Sequence, residues 1–203
     1  MKAFLKVVLT ALYTFTSCKA SECNCHAGEL LEDLTQIFEF RNAWDFLTTE
    51  EELYLIYLPH WVDRKGKQCI TSRLESPPAQ FPIVHRSILY TDSLIGDKRQ
   101  SRSVTLTMDT NGYSKTTYFT TDDFPTLGSK FPIVYFDSKC LIYQMTKNIY
   151  GGRTGCAFWV KKSDKDNSLT HCKFIYDFFC GVSHEVVYDK NLKATCDELV
   201  QKV

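Results

Sequence analysis

The chain has 203 residues, and its 24 basic and 24 acidic side chains give a formal net charge of zero. A chain without a basic excess offers no electrostatic surface for nucleic acid or for an anionic membrane, so we expect neither partner. The length fits one domain that is large enough to bury a sizeable core.

Residues 1–20 have the features of a secretory signal peptide. Lys2 and Lys6 flank a short apolar run, and the small residue Ala20 stands at the expected cleavage position. The run is shorter than the about 20 apolar residues needed to span a bilayer, and no later run is long enough. We therefore expect a secreted, extracellular domain at residues 21–203. Three lysines leave with the signal peptide, so 21 basic and 24 acidic side chains remain.

Cysteine is abundant in this chain, and one of its nine cysteines, Cys18, lies in the predicted signal peptide. The other eight are Cys23, Cys25, Cys69, Cys140, Cys156, Cys172, Cys180 and Cys196. An even number of cysteines behind a signal peptide predicts a disulfide framework, although eight cysteines allow 105 complete pairings. No Asn-x-Ser/Thr triplet is present, so we expect no N-linked glycan.

The first element of the predicted domain is a helix at residues 28–47, where a stripe recurs at spacings of three and four and consists of Leu30, Leu34, Ile37, Arg41 and Trp44. Short runs rich in Val, Ile, Thr, Tyr and Phe follow and predict strands. They cover residues 53–58, 68–74, 82–91, 102–108, 114–121, 131–135, 140–145 and 156–161. The runs at 131–135 and 140–145 are two strands or one long strand with an irregularity.

Turn residues separate these runs, and the Asn111-Gly112 pair predicts a tight hairpin between two Thr-rich strands. A helix at residues 169–180 follows the last strand and ends at Gly181. Seven or eight short strands predict a mainly β fold, either a sandwich or an up-and-down barrel. The single helix after the last strand favours the barrel, and eight strands enclose room for one small ligand.

The distal half of the chain carries a recognisable order of strands and cysteines. Its segments are residues 135–142, residues 156–160, Cys172, Cys180-Gly181, residues 187–189 and Cys196, with Gln68-Cys69 upstream. This order resembles the tick salivary lipocalins of the histamine-binding type. The resemblance implies an eight-stranded antiparallel lipocalin-type barrel with an N-terminal and a C-terminal helix. One departure is that no glycine stands two residues before Trp44, where the broader lipocalin signature has one.

The resemblance also implies three disulfides. They join Cys69 to Cys196, Cys140 to Cys172 and Cys156 to Cys180. Cys23 and Cys25 are left over, and two cysteines one residue apart form a poor bridge because a disulfide needs a specific geometry.

The function implied by the resemblance is non-enzymatic. Such a protein sequesters a small host inflammatory mediator, with a biogenic amine such as histamine or serotonin first, and so suppresses host defence. Two alternatives remain open: a carrier or scavenger of a lipid mediator such as a leukotriene or fatty acid, and an immunomodulator that binds a host protein and has a vestigial cavity. We expect a monomer without a cofactor.

Alternation along the last strand predicts which side chains face a ligand. Ala157 and Trp159 share one face, so Trp159 faces the cavity if Cys156 forms its bridge outside the barrel. We expect Tyr57 and Tyr143 to line the same cavity. The alternative is that Trp159 only plugs the barrel, because small barrels often fill themselves.

An amine ligand would need a carboxylate, since an unpaired ammonium in a dry cavity costs many kcal/mol. Amine-binding members commonly have acids where this chain has Leu141 and Ala157. We expect Asp63 and Glu50 as replacements. His60, with its neighbour Trp61, would complete an amine cage by cation–π contact, and Trp44 is a further ligand-binding candidate. The alternative for Asp63 is a solvated loop residue.

No enzyme or metal motif stands out. Cys23, Cys25 and His26 lack a matching Cys/His pair at a zinc-site interval, and a secreted chain favours disulfides over metal. Cys180 with His184 is weak support for a nucleophile and base, because catalytic partners meet in space rather than in sequence. We expect no catalytic residue and no metal ligand.

Overall fold

The computed structural model describes residues 43–75, 79–92, 99–109, 117–147, 153–188 and 196–197. The predicted signal peptide, most of the predicted N-terminal helix, Cys23, Cys25 and the Asn111-Gly112 turn lie outside the described residues. None of the helices in the described part is long and apolar enough to cross a membrane.

The described residues include nine strands and two helices with defined bounds, and Cys196 and Asp197 are also helical. The strands are β1 (Leu53–Pro59), β2 (Lys67–Leu74), β3 (Ile83–Asp92), β4 (Arg99–Met108), β5 (Tyr118–Thr120), β6 (Lys130–Phe136), β7 (Cys140–Lys147), β8 (Arg153–Lys161) and β9 (His184–Val186). Helix α1 (Trp44–Leu47) precedes β1, and helix α2 (Thr170–Cys180) follows β8. Short 3₁₀ turns lie at Pro125–Leu127 and Lys162–Asp164.

Strands β1 to β8 form a closed antiparallel barrel. Each strand pairs with the next one along the chain, and β1 closes the sheet by pairing with both β2 and β8. Leu53 is opposite Ser72 on one side and Lys161 on the other. The predicted lipocalin-type barrel with a C-terminal helix is therefore confirmed.

The predicted runs at 131–135 and 140–145 are two strands, β6 and β7, joined by a tight turn. Asp137 makes this turn, because its Oδ1 accepts hydrogen bonds from the backbone N–H groups of Lys139 and Cys140, both at 2.8 Å. Strand β9 was not predicted. It has three residues and pairs with the end of β1, where Pro59 is opposite His184.

Alternation along the strands produces two apolar layers. One lies inside the barrel and includes Val84, Leu106 and Trp159. The other lies between the barrel and α2 and includes Phe158 and Tyr176. Helix α2 buries one face against β7 and β8, and Gly181 ends it with a φ of 79°, which glycine adopts without strain.

Three disulfides fasten the outer layer. Cys140–Cys172 and Cys156–Cys180 join α2 to β7 and β8, with Cα–Cα distances of 6.6 Å and 5.6 Å. Cys69–Cys196 joins β2 to the C-terminal segment across 127 residues of sequence, with a Cα–Cα distance of 5.3 Å. These are the three pairs that the family resemblance implies.

The two ends of the barrel differ. In an up-and-down barrel the β1–β2 and β5–β6 connections lie at the same end, which we call the open end. Helix α1 covers the opposite, closed end, where Phe46 and Leu47 are buried. Arg86 fastens α1 to the barrel, because its Nη1 donates to the carbonyl oxygens of Leu47 (2.6 Å) and Thr49 (3.1 Å).

A buried ionic cluster lies outside the barrel wall. The Glu52 carboxylate is 6% exposed and accepts hydrogen bonds from Thr71 Oγ1 (2.7 Å) and Arg99 Nη2 (3.3 Å). Arg73 pairs with the same carboxylate at 3.3 Å. Burial lowers the pKa of Arg99, and the Glu52 charge opposes this effect.

Candidate functional site

The barrel encloses a cavity of about 480 Å³. Its walls are mainly aliphatic and aromatic side chains from β1 to β8. They include Leu53, Leu55, Leu58, Ile70, Ile88, Tyr90, Val104, Leu106, Phe119, Phe131, Leu141, Tyr143, Met145 and Trp159. The volume falls within the range of small-ligand sites, and such sites are mostly apolar with a few polar groups.

Trp159 and Tyr143 form the polar contact in this wall. They lie on the neighbouring strands β8 and β7, where Trp159 is opposite Leu141 and Tyr143 is opposite Ala157. The indole Nε1 of Trp159 donates a hydrogen bond to the Tyr143 hydroxyl oxygen at 3.1 Å. Burial raises the pKa of Tyr143 to about 12, and the bond from Trp159 only partly offsets this, so the phenol is neutral at physiological pH.

Two phenylalanines fix the ring of Tyr143. Phe119 and Phe131 stack on each other at 5.2 Å, and each meets the Tyr143 ring nearly at right angles, at 4.9 Å and 5.7 Å. Edge-to-face contacts of this kind are favourable and restrict the ring plane. The hydroxyl of Tyr143 is therefore held in place within an apolar part of the wall.

The two positions at which amine-binding relatives commonly carry acids lie on the inner face. Leu141 lines the cavity, and Ala157 is fully buried in the inner apolar layer. The wall around Trp159 and Tyr143 consequently has no carboxylate at either position.

Arg86 contributes a cation at the closed end of the cavity. Besides its bonds to α1, its Nε donates to Ser72 Oγ (2.9 Å) and its Nη2 to the Ser72 carbonyl (3.1 Å). Burial lowers the pKa of Arg86 to about 10, so the guanidinium remains charged at neutral pH. Its hydrogen bonds go to carbonyl and hydroxyl oxygens, which indicates a structural role in closing this end.

The open end is rich in basic side chains. Arg64, Lys65, Lys67 and Arg102 line it, with Asp63 as the single carboxylate among the described residues of the cavity. Asp63 Oδ1 accepts a hydrogen bond from the Lys65 backbone N–H at 2.8 Å, which stabilises the β1–β2 connection. Glu185 offsets the charge of Arg64, but the other three basic side chains outnumber Asp63, so the local charge favours an anionic group over an ammonium.

Contacts at the open end hold the β1–β2 connection against the barrel. Arg64 forms an ion pair with Glu185 of β9, and Trp61 Nε1 donates to the Thr154 carbonyl at 3.4 Å. Gly155 leaves room for the end of β1, because a Cβ at this position would lie 2.6 Å from the Pro59 ring. A polar depression of about 380 Å³ lies beside the opening and includes His60 and Glu185.

The structure brings together three of the seven predicted ligand-binding residues. Trp159, Tyr143 and Asp63 line the cavity. Tyr57 does not, which corrects the prediction. A register irregularity in β1 between Leu55 and Tyr57 interrupts the alternation, so Leu58 faces inward and Tyr57 packs under α2 against Tyr176 at 5.3 Å.

His60, Glu50 and Trp44 also lie outside the cavity. His60 is exposed and borders the polar depression, and Glu50 is exposed between α1 and β1. Trp44 packs edge-on against Phe81 at 5.1 Å. The predicted amine cage of Asp63, Glu50 and His60 is therefore not assembled inside the barrel.

Sequence reasoning missed Arg86, Arg102, Phe119 and Phe131 as residues of the cavity. Alternation along β3 and β4 places Arg86 and Arg102 on the same face as Val84 and Val104 and could have found them. A charged side chain is normally expected on the solvent-facing side of a strand, which is why charge alone does not reveal these two residues. Phe119 lies in the predicted run at 114–121, of which residues 118–120 form β5 in the structure.

Cys23, Cys25 and His26 lie outside the described residues, but the other cysteine and histidine clusters lie within them. Cys180 is bonded to Cys156, so no Cys180 thiolate is present next to His184. Asp137, Cys140, His171 and Cys172 lie together, but the two sulfurs form a disulfide. His171 Nε2 instead pairs with Asp137 Oδ2 at 2.7 Å.

A closed eight-stranded barrel, a C-terminal helix and an enclosed apolar cavity define a lipocalin-type protein. The sequence profile described as "Tick histamine binding protein" matches residues 31–194. The chain belongs to this family, whose members are non-enzymatic binding proteins.

Solved structures support the fold. Japanin from Rhipicephalus appendiculatus, bound to cholesterol, is similar with a TM-score of 0.54 and 15% sequence identity, over 71% of this chain and 97% of japanin. Apocrustacyanin C2 is similar with a TM-score of 0.54 and 9% identity, over 79% of this chain and 88% of that chain. No curated protein sequence matches the chain.

Proposed function

We propose that this protein sequesters a small lipid mediator inside its barrel. The observation that carries the proposal is the chemistry of the cavity. About 480 Å³ is enclosed by apolar and aromatic side chains, and the single carboxylate among its described lining residues stands at the open end. Burial of an apolar ligand in such walls is favourable at about 25 cal/mol per Å² of apolar surface.

The same chemistry disfavours a biogenic amine. A buried ammonium needs a paired anion, because its desolvation otherwise costs several kcal/mol. Asp63 is the one carboxylate among the described residues of the cavity, and it stands beside Arg64 and Lys65 while its Oδ1 accepts a hydrogen bond from the Lys65 backbone N–H. The basic side chains at the opening would attract the acidic group of a fatty acid or leukotriene instead.

The cholesterol bound to japanin is a neutral lipid held by a protein of the same fold. It supports the lipid class without naming the ligand of this chain. The volume of the cavity also counts against a vestigial cavity in a protein that binds only host proteins.

The proposal includes secretion and suppression of host defence. The predicted signal peptide at residues 1–20 and the three disulfides support an oxidising, extracellular location. Removal of a lipid mediator from a bite site would reduce host inflammation, which is the use implied by the family.

The test is a binding panel on the secreted protein, with native mass spectrometry for co-purified molecules and calorimetry for added ones. We expect submicromolar binding of arachidonic acid, leukotriene B4 or cholesterol and no heat with histamine or serotonin. Neither Asp63→Asn nor the matched control Glu185→Gln, which lies outside the cavity, should weaken lipid binding. Amine binding that is lost in Asp63→Asn and kept in Glu185→Gln would overturn the lipid proposal in favour of an amine.

A further inference from the structure

The Tyr143 hydroxyl accepts one hydrogen bond, and its own hydrogen is not donated to any described residue. The Trp159 indole N–H can only donate, so the Tyr143 oxygen accepts this bond and keeps its own hydrogen. That hydrogen cannot point at the indole N–H. Among the described residues no acceptor is bonded to it, so the phenol O–H is available to a molecule in the cavity.

The surroundings make this donor selective. Phe119 and Phe131 pack side by side against the Tyr143 ring, and Leu141 and Met145 of the same strand as Tyr143 also line the cavity. A polar ligand group in this apolar part of the wall loses its water and needs a partner here. The hydroxyl hydrogen can be donated to a ligand oxygen, whereas an ammonium has no lone pair to accept it.

We infer that Tyr143 is the ligand-selecting residue of the cavity, and that it donates its hydroxyl hydrogen to a neutral oxygen acceptor, a carbonyl or hydroxyl oxygen, on an otherwise apolar ligand. Trp159 is the positioning residue that directs this donor. The inference rests on the proposed function, because it specifies the polar group that the sequestered lipid carries.

The experiment compares hexanophenone with hexylbenzene, two probes of equal carbon number that differ by one carbonyl oxygen. Affinities are measured by displacement of anilinonaphthalene sulfonate fluorescence from the folded, disulfide-intact protein. In Tyr143→Phe the ring contacts are kept and one hydroxyl is lost. We expect the affinity for hexanophenone to fall about 3- to 10-fold, the size of one hydrogen bond, and the affinity for hexylbenzene to stay unchanged.

Two further variants separate donation from packing. Tyr57→Phe removes the same hydroxyl from a tyrosine outside the cavity and should leave both affinities unchanged. Trp159→Phe removes the orienting N–H and should lower the ratio of ketone to hydrocarbon affinity. In the Tyr143→Phe background the same Trp159→Phe change should not lower that ratio further, because no hydroxyl is left to orient.

The possible failures are distinguishable. If Tyr143→Phe weakens both probes equally, or neither, Tyr143 selects nothing and the inference is overturned while lipid sequestration stands. If the unmodified protein binds neither these probes nor any lipid of the panel, the proposed function fails and the inference fails with it.

Discussion

Replacement of Arg86 by leucine tests the account of the closed end. Arg86 is 1% exposed and makes four hydrogen bonds, to Ser72 Oγ, the Ser72 carbonyl and the carbonyls of Leu47 and Thr49. The leucine would leave the carbonyls of Leu47 and Thr49 without these donors, and each buried unsatisfied group costs about 1–3 kcal/mol. Part of this cost is offset, because the variant no longer buries a charged guanidinium and buries an apolar leucine side chain instead.

We expect Arg86→Leu to lower the free energy of unfolding by about 3 kcal/mol, or Tm by roughly 6–12 °C for a domain of this size. Urea denaturation of the disulfide-intact protein, followed by circular dichroism, measures this change. Arg102→Leu on the neighbouring strand is the matched control, because Arg102 is exposed. Its hydrogen bond to the Asp123 carbonyl and its contact with the Phe124 ring at 5.0 Å are each worth about 1 kcal/mol or less at such a site. A loss below about 1 kcal/mol in Arg86→Leu would refute the argument that its bonds fasten α1.

Three other outcomes are expected. Cys196→Ser opens a loop of 127 residues and should lower the free energy of unfolding by about 5 kcal/mol in the chain-entropy model. Cys180→Ser, with a sequence separation of 24, should lower it by about 3 kcal/mol. Equal shifts in Tm for the two variants would contradict this order. Glu52→Gln should lower the free energy of unfolding by about 3 kcal/mol in urea titrations, because the Arg99 side chain is 8% exposed and loses the carboxylate that pairs with it. An unchanged urea midpoint would show that water solvates Arg99 instead. The tryptophan fluorescence change on ligand addition should persist in Trp44→Phe and shrink in Trp159→Phe; the reverse would place the ligand outside the barrel.

Much of the fold was predictable because its signals are local. The run at 53–58 is β1, the run at 140–145 is part of β7, and the helix predicted at 169–180 is α2 with its stop at Gly181. Each signal depends on neighbours in sequence, through alternation, turn residues and the conformational freedom of glycine.

The candidate site was less predictable because it depends on register between distant strands. Tyr57 belongs to the inward set if β1 alternates throughout, and only the irregular pairing with β8, about one hundred residues later, turns it outward. Trp159 was placed inward correctly, since β8 alternates without interruption against β7 and its Cys156 is bonded outside the barrel. The β9 strand forms by pairing with β1 and has too few residues to show a pattern.

The pairing of β1 with β8 has a consequence for how the cavity comes into existence. Strands β1 to β7 are sequential neighbours and can pair as the chain grows, but Leu55 meets Trp159 only after β8 has joined the sheet. Until that step there is no enclosed volume, and Tyr143 lacks the indole that directs it. Ligand binding therefore requires a completed barrel. In refolding kinetics, the ligand-dependent signal should appear only with the slowest, long-range step. The rates of earlier steps should not depend on ligand concentration.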